Sequence, residues 1–479
     1  MRQGWRVWFM GVAVLAVGTP SHSHAQTTVC GVLSSDSEWR AETSPFVVTC
    51  SVVVPKGLTL AIGPGVEVRF KRRVSLKVEG ALLVQGTEAN PVLFTSNSDA
   101  PHPGDWGGVT FTGSGQEGRH TAGSLVRYAL FQFAGSSGRT GVLEVEGAGP
   151  SLEHVVIQKS AASAISINKG TMQVQNSTFM QNSNSQAFGG GILAFSSTLL
   201  LEGSAIGENP TSGSGGGIHA VDSFITLRHC SVFKNETPSN GGGLFATDST
   251  VLIEGCVFRD NSTALRGGAV YAARSKVTVS NSMFRQNKTV KAATFGAPAE
   301  GEMLVQGAAI YVIDSTMTIS DSTFLGNQAT SDCAALSAVR SLLVVRSTTF
   351  TENLAVGNGA VLCLEQLAKG SSITGSSIAL NTSEKLTAPS IIYLQAGLFP
   401  AFDGNNIYGN IGYALLNGTS EPIQARQNWW GTADEEAIRG RILDRSQDAT
   451  KGEVVISPVL SAPIPGWDKR VPSLGTETK

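Results

Sequence analysis

The sequence predicts an all-β chain that folds as one elongated domain, a right-handed parallel β-helix of about 13 coils. The first observation behind this prediction is a recurring phrase of small residues followed by an apolar residue. Its seven copies recur with a period of about 26 residues, broken by one longer step, and a fixed period of this kind is typical of a solenoid. The copies begin at Gly189, Gly215, Gly241, Gly267, Gly307, Cys333 and Asn358, so the last step is one position short of the period.

A second phrase, an apolar residue followed three positions later by asparagine, keeps the same period. Phe233 breaks the rule because it lies two positions before Asn235, whereas Val232 lies three before it and keeps the regular step. We therefore place Val232 inside the helix and Phe233 outside. The asparagines predict a ladder in a turn, because asparagine tolerates left-handed backbone and binds local amides. The ladder members are Asn182, Asn209, Asn235, Asn261, Asn287, Asn327 and Asn353.

Between the phrases run short alternations of β-branched and polar residues, the third observation. Residues 250–254, 276–280 and 316–320 alternate with period two, which predicts strands. Strands of successive coils would then lie about 4.8 Å apart. The glycines of the first phrase indicate a turn in which a Cβ does not fit, or a close approach between coils.

The order of segments along the chain follows from these patterns. Arg2 and Arg6, an apolar stretch at 7–18 and a small-residue site indicate a signal peptide cleaved after Ala25. The expected segments are a signal peptide at 1–25, an N-terminal cap at 26–45, the β-helix at 46–460 and a flexible tail at 461–479. Within the β-helix we expect strict repeats at 176–361, an inserted loop at 288–303 on one face and a capping segment at 428–460.

Composition and charge narrow the possible functions. The signal predicts an exported protein, secreted or located in the periplasm or at the cell surface, and no later apolar run is long enough to span a membrane. Without Arg2 and Arg6 the chain keeps 33 of its 35 basic residues against 37 acidic ones, so its charge argues against nucleic acid as a partner. We expect a monomer.

Both ends of the chain carry motifs of a known family. A Pro-Gly-Val turn at 64–66, the run Leu-Lys-Val-Glu-Gly-Ala-Leu at 76–82 and Gly-Asp-Trp-Gly-Gly at 104–108 resemble the first coils of bacterial right-handed, pectin-lyase-like β-helix proteins. Asn-Trp-Trp-Gly at 428–431 resembles the closing segment of that family. Two adjacent tryptophans can cover the open end of an apolar column, and the terminal repeats of a solenoid need a cap.

The central repeats at 176–361 are similar to the passenger repeats of chlamydial polymorphic outer-membrane proteins. Members of that family are surface adhesins that carry a C-terminal β-barrel and end in an aromatic residue. This sequence ends Glu477-Thr478-Lys479 and shows no amphipathic strand series near that end. The resemblance therefore implies the β-helical fold, and it implies adhesion less directly.

One column of charged residues is the candidate binding site. Stacking places residues one coil apart in sequence side by side, so the charges would form a row. Asp222 and Asp248 could bind Ca²⁺, and with Arg274 they resemble the ingredients of a polysaccharide lyase. The alternative is a solvated turn ladder, since serine follows most members and aspartate caps local amides. The members are Asp222, Asp248, Arg274, Asp314, Arg340 and Glu365.

The six cysteines of an exported chain can form disulfides. Cys30 and Cys50 are candidates for a staple near the N-terminus. Cys230 and Cys256 occupy one slot on adjacent coils, which allows either a disulfide or two stacked thiols, because this slot mostly holds serine or threonine in the other coils. The remaining two, Cys333 and Cys363, fall in different slots, and we expect them to stay apart.

The sequence favours an exported, non-enzymatic scaffold whose outer face and inserted loop bind a polysaccharide or a surface protein, as an adhesin does. The alternative is a polysaccharide lyase or glycoside hydrolase on the same fold, because one fold hosts many functions. No catalytic residue can be assigned from the sequence, and Ca²⁺ is the one cofactor that the charged column suggests.

Overall fold

The computed structural model of the protein describes residues 26–465, except 113–122, 137, 185–187, 291–306, 331, 357–360 and 385–388. The expected signal peptide and residues 466–479 of the expected tail lie outside the described residues. The regular secondary structure of the described chain is nearly all β-strand, and every pairing between these strands is parallel and joins one coil to the next. The predicted solenoid is confirmed, with about 14 turns.

Three long parallel sheets, here named A, B and C, form the walls of the solenoid, and each coil contributes to A, then B, then C. Four long strands run through the corners between these sheets in the first half of the chain: Phe46–Val54, Leu125–Gln132, Gly141–Gln158 and Ser163–Gln175.

The other strands each belong to one sheet, apart from Thr27–Val32, which contributes to both C and A. In sheet A they are Ser75–Val78, Gly108–Thr112, Ile192–Phe195, Ile218–Val221, Leu244–Thr247, Val270–Ala273, Ile310–Ile313, Leu336–Val339, Leu362–Leu367, Ser390–Gly397, Tyr413–Asn417 and Ile442–Leu443. In sheet B they are Ser37–Trp39, Thr59–Ile62, Ala81–Gln85, Thr198–Glu202, Phe224–Arg228, Thr250–Glu254, Lys276–Ser280, Thr316–Ser320, Leu342–Arg346, Ser372–Thr374 and Ala401–Asp403. In sheet C they are Thr27–Val32, Glu67–Phe70, Val92–Ser96, Thr178–Met180, Ala205–Gly207, Ser231–Phe233, Val257–Arg259, Met283–Arg285, Thr323–Leu325, Thr349–Thr351, Ser377–Ala379 and Asn406–Tyr408.

A short fourth sheet, D, and a two-stranded sheet complete the β-structure. Sheet D consists of Glu236–Thr237, Ser262–Thr263, Lys288–Thr289, Gln328–Ala329, Leu354–Ala355 and Thr382–Ser383. Ile423–Gln424 pairs with Val454–Val455, and the described helices are a 3₁₀ turn at Ala41–Thr43 and an α-helix at Glu435–Arg439.

The core is a set of apolar columns inside the three sheets. In sheet C, Phe258, Phe284, Phe324 and Phe350 are fully buried, and neighbouring rings stack with centroids 4.8–5.2 Å apart. Val232 pairs with Phe258 and is fully buried, whereas Phe233 is half-buried. The structure therefore confirms that Val232 takes the inward position and that Phe233 points outward.

The asparagine ladder continues the core where sheet C ends. All seven predicted asparagines are fully buried. The Oδ1 of Asn261 accepts hydrogen bonds from the backbone N–H and the Nδ2 of Asn235, at 3.1 and 3.0 Å, and the Nδ2 of Asn261 donates to Asn287 and to a backbone carbonyl. This pattern repeats from coil to coil, so polar groups that strand pairing leaves unused still find partners.

The structure shows two reasons for the glycine phrase: a turn in which a Cβ does not fit, and a close approach between coils. Gly215 has a φ of 77°, and the first residue of each described copy is likewise left-handed. A Cβ at Gly216 would lie 2.6 Å from the carbonyl oxygen of Gly242 in the next coil, so a side chain there would collide with backbone. The phrase marks a tight corner at which neighbouring coils approach closely.

The last copy of the phrase is shifted by one position relative to our sequence alignment. Leu336 pairs with Leu362 and not with Val361, so the step that we counted as one position short has the regular length. The inserted loop also begins later than expected: Lys288–Thr289 is a regular strand of sheet D, and the insertion lies between Val290 and Gly307. Residues 291–306, which include most of the expected loop 288–303, lie outside the described residues.

Both ends of the apolar column are covered by tryptophan. At the N-terminal end Trp39 stacks on Phe46 with ring centroids 4.8 Å apart, and residues 26–45 form an outermost coil, with strands paired to the next one. At the C-terminal end Trp430 is buried in the core and Trp429 is half-buried. The capping α-helix packs Ile438 onto the same core, and Asp434 caps its N-terminus.

The cysteines form two disulfides. The first joins Cys30 to Cys50 across adjacent coils. Cys230 and Cys256 are free and buried, so of the two alternatives the structure has the stacked thiols. The backbone N–H of Cys230 donates to the Sγ of Cys256 at 3.3 Å, as serine N–H groups donate to hydroxyls elsewhere in this slot.

The second disulfide joins Cys333 to Cys363, so our expectation that these two residues stay apart is wrong. Cys333 takes the left-handed first position of the glycine phrase, with a φ of 65°. A Cβ at this position lies close to the side chain of the residue four positions later. In the preceding coil the equivalent residues are Gly307 and Tyr311, and a Cβ at Gly307 would lie 2.9 Å from the Cβ of Tyr311. In the Cys333 coil that residue is Ser337, which pairs in register with Cys363 of the next coil. Cys333 and Cys363 therefore lie close together although they occupy different positions of the repeat.

Candidate functional site

The candidate column runs along the corner between sheets A and B. Its members are exposed and have left-handed backbone, with φ of 50° at Asp222, 51° at Asp248, 48° at Arg274, 50° at Asp314 and 44° at Arg340. The next position is Gln366, with a φ of 48°, and not Glu365, because the last phrase is shifted by one position. Glu365 pairs in register with Val339 on sheet A and is half-buried. The structure therefore places the first five predicted residues in one column, with Gln366 in the position predicted for Glu365.

A serine ladder explains why the sequence folds this way at the corner. The residue after each column member is a buried serine whose hydroxyl accepts the backbone N–H of the serine one coil earlier. The N–H of Ser223 donates to the Oγ of Ser249 at 3.0 Å, and the same bond links Ser249 to Ser275 at 3.1 Å. Each hydroxyl also donates to a carbonyl two positions back in its own coil. The bend is thus specified by serine, and the left-handed residue before it is free to vary.

Two of the three aspartates of the column are paired with an arginine of the column, and the third is not. Arg274 donates to both carboxylate oxygens of Asp248, at 2.8 and 2.7 Å, and Arg340 does the same to Asp314, at 2.7 and 2.9 Å. Asp222 accepts a hydrogen bond from Ser196 at 3.0 Å. Hydrogen bonds from Arg274 hold the pKa of Asp248 below its usual range, and hydrogen bonds from Arg340 do the same for Asp314.

This pairing bears on the Ca²⁺ hypothesis for Asp222 and Asp248. A Ca²⁺ ion takes six to eight oxygen ligands, and both oxygens of Asp248 are already bound to Arg274. Among the described residues no group of three or more His, Cys, Asp or Glu side chains is placed to hold a metal ion. A cation between Asp222 and Asp248 would have to displace the guanidinium.

An aromatic column lies beside the charged column, on the outer face of sheet A. The rings of Phe188, His219, Phe245, Tyr271 and Tyr311 stack in series, with centroids 4.7, 4.7, 5.1 and 5.5 Å apart. Burial lowers the pKa of His219 to about 4, and its Nδ1 lies 3.1 Å from the carbonyl of Ser214. This histidine is packed as a neutral ring.

His219, Phe245, Tyr271 and Tyr311 occupy one position of the repeat, and the sequence patterns used above did not predict that they stack. The signal was available in the common slot and the shared ring chemistry, because sheet A pairs these residues directly. The column stops at Ser337 and Cys363, and the disulfide to Cys333 occupies the place where rings would otherwise continue. No sequence signal distinguished that bridge from two unrelated cysteines.

Comparison with known families agrees with this geometry. Residues 31–154 match a family described as a pectate-lyase-like β-helix domain, and residues 140–301 match one described as a right-handed β-helix region. A search of curated proteins found no match. In the described part of the chain, no helix has the length and apolar character that crossing a membrane requires. The chain is a right-handed parallel β-helix repeat protein.

Proposed function

We propose that this chain is an exported, non-enzymatic β-helix scaffold that binds a glycan or a protein partner on its outer surface, as surface adhesins do. The observation that carries the proposal is the internal pairing of the charged column. Asp248 and Asp314 are each engaged by two hydrogen bonds from an arginine of the adjacent coil. A general base needs a lone pair free to accept the substrate proton and a pKa near the working pH. Lowered pKa values and occupied oxygens oppose that role.

The construction of the solenoid supports the same conclusion. The serine ladder and the asparagine ladder hold each coil in a fixed place, so the outer face is rigid. A rigid surface loses little conformational entropy when it binds a partner.

The test is a screen of the secreted chain against acidic and neutral polysaccharides, with and without Ca²⁺, for both binding and product release. The proposal expects binding to a polysaccharide or to a surface protein, with no shortening of the polymer and no unsaturated or reducing-end products. Release of such products above a heat-denatured control would contradict it. As a matched variant, Arg274→Gln should leave every polysaccharide intact, because freeing Asp248 does not create a second catalytic group.

The second candidate is a polysaccharide lyase or glycoside hydrolase. The observation in its favour is the match of residues 31–154 to pectate-lyase-like β-helix domains. The same screen separates the two candidates. An enzyme would give turnover that depends on specific acidic or basic side chains, whereas a scaffold binds its ligand and leaves it unchanged.

A further inference from the structure

A polar cleft with unpaired cations lies near the N-terminal end of the solenoid, on coils that do not contribute to the charged column. It has a volume of about 630 Å³, within the range of about 300–1,000 Å³ that is typical of ligand sites. One wall is the corner turn that follows Phe70, and the other is the loop at 97–105. We name it the basic cleft.

The first wall carries Lys71 and Arg72. With Arg73 they form the only run of three consecutive cationic residues in the sequence. All three are exposed, and no described acid lies within ion-pair distance of them. Arg69, two positions earlier, is paired with Glu67 at 2.8 Å. The cluster stands out because the full chain has a net charge of −2 and most exposed arginines of the repeats have an acidic partner.

Asp105 lines the cleft and Asp99 lies near it, but neither is within ion-pair distance of Lys71 or Arg72. The carboxylate of Asp105 accepts hydrogen bonds from the Ser96 hydroxyl at 2.7 Å and from the backbone N–H of His102 at 3.0 Å, so it is held within its own loop. Asp99 acts electrostatically on Arg69, whose pKa is raised chiefly by its hydrogen bond to Glu67. The cations of the cleft therefore keep their charge available to a ligand.

Backbone hydrogen bonds join the two walls to each other and to the solenoid. The N–H of Arg73 donates to the carbonyl of Asp105 at 2.7 Å, and the N–H of Asn97 donates to that of Phe70 at 2.8 Å. The loop is tied to the next coil by the bond from Gly104 to Ala134, at 3.0 Å. Phe70 and Trp106 stack beneath the cleft with ring centroids 4.1 Å apart. The cleft is thus a preformed feature of the fold.

We propose that the basic cleft binds the anionic groups of an acidic oligosaccharide, an inference that rests on the scaffold function proposed above and names its ligand class. Lysine and arginine side chains match carboxylate or sulfate groups. The side-chain amide of Asn97 and the ring of His102 also line the cleft and suit the hydroxyls of a sugar. Phe70 is buried, so the cleft offers no exposed phenyl or indole ring on which nucleic-acid bases could stack and no large apolar surface that would enter a membrane.

The experiment measures binding of the mature chain to a carboxylated oligosaccharide, a sulfated one and an uncharged one of equal length, by isothermal titration calorimetry. The uncharged compound should not bind, and the two acidic compounds distinguish carboxylate from sulfate as the recognised group. Lys71→Gln combined with Arg72→Gln should weaken binding about tenfold or more, because it removes charge-assisted hydrogen bonds. Added salt should weaken wild-type binding as well.

Lys276→Gln is the matched control, because Lys276 is exposed on sheet B far along the chain from the cleft. It should bind like the wild type, and Lys71→Arg combined with Arg72→Lys should restore most of the affinity. Unchanged binding by the Gln double variant, or binding only to nucleic acid or to acidic lipid vesicles, would overturn the inference and leave the scaffold proposal intact. Release of shortened products with a normal response to the variants would contradict the scaffold proposal and leave the basic cleft intact.

Discussion

The first coils and the strict repeats have the same kind of apolar core, but their surface charges are paired to different extents. Along sheet C, the register partners of the first coils lie at uneven intervals in sequence: Val68, Phe94, Phe131, Ile157 and Phe179. From Ile206 to Phe350 the interval between partners is constant, apart from the longer one that contains the insertion. Irregular intervals create loops and clefts, whereas regular intervals place like positions in direct contact.

That difference determines which polar groups find partners inside the molecule. In the repeats, arginine lies one coil from aspartate, and asparagine and serine form ladders, so most polar side chains bind each other. In the first coils no such ladder surrounds Lys71 and Arg72, and their charges face the cleft. The comparison shows that regularity favours internal pairing, and that surface available to a ligand collects where the repeat is broken.

The largest expected effect tests what the two regions share. Phe284→Ala in the repeats and Phe131→Ala in the first coils each remove a fully buried ring, and each should lower the free energy of unfolding by about 3–5 kcal/mol. Equilibrium unfolding in guanidinium, followed by circular dichroism, measures both. Phe233→Ala is the control: this half-buried ring points outward, between Gly207 and the guanidinium of Arg259, so its loss should cost about 1 kcal/mol. Equal costs at 233 and 284 would mean that the inward column is misassigned.

The next effect concerns pH and the aromatic column. The pKa of His219 is about 4 in the folded chain, against an ordinary value of 6.5. Between these values the unfolded chain binds a proton that the folded chain does not, so stability falls as the pH drops from 6.5 to 4. The loss attributable to this residue is about 3 kcal/mol. His219→Phe, which imitates Phe245 in the adjacent coil, should flatten the dependence of melting temperature on pH in this window. An equally steep profile in the variant would contradict the buried neutral ring.

The asparagine ladder is a feature of the repeats, and Asn261→Ala tests it. The substitution leaves the backbone N–H and the side-chain amide of Asn235 without their acceptor. It should cost about 2 kcal/mol, because buried polar groups lose their partners. Asn168 is the control: it is exposed on the strand Ser163–Gln175 and lies outside the ladder. Asn168→Ala should change the free energy of unfolding by less than about 0.5 kcal/mol. Similar values for the two variants, measured by urea unfolding, would show that the ladder adds nothing.

The smallest effect is expected at the free thiols. Cys256→Ser should change the free energy of unfolding by less than about 1 kcal/mol, because a hydroxyl can accept the N–H of Cys230 and donate to the carbonyl of Glu254, as the thiol does. Cys256→Ala removes the acceptor and should be the less stable of the two. Mass spectrometry of the intact chain after alkylation under denaturing conditions should find two reactive cysteines. A chain with none would mean that Cys230 and Cys256 are bridged.

The sequence predicted the solenoid, the inward column and the ladder because period and side-chain chemistry agree there in coil after coil. Val232 shows the strength of this approach, since the period identified it even though Phe233 is the larger apolar residue. The same approach misassigned Glu365, because the last repeat is shifted by one position and Gln366 therefore takes the left-handed corner position. The Cys333–Cys363 bridge and the basic cleft depend on how a corner folds over its neighbours, which a slot-by-slot alignment does not contain.

The most direct test compares the two regions in one titration with an acidic oligosaccharide. Lys71→Gln with Arg72→Gln removes two unpaired cations from the basic cleft, and Arg274→Gln with Arg340→Gln removes two paired cations from the charged column. We predict that the first double variant loses affinity about tenfold or more while the second binds like the wild type. The reverse result, with affinity lost only when Arg274 and Arg340 are changed, would contradict this prediction and would place the binding surface on the strict repeats.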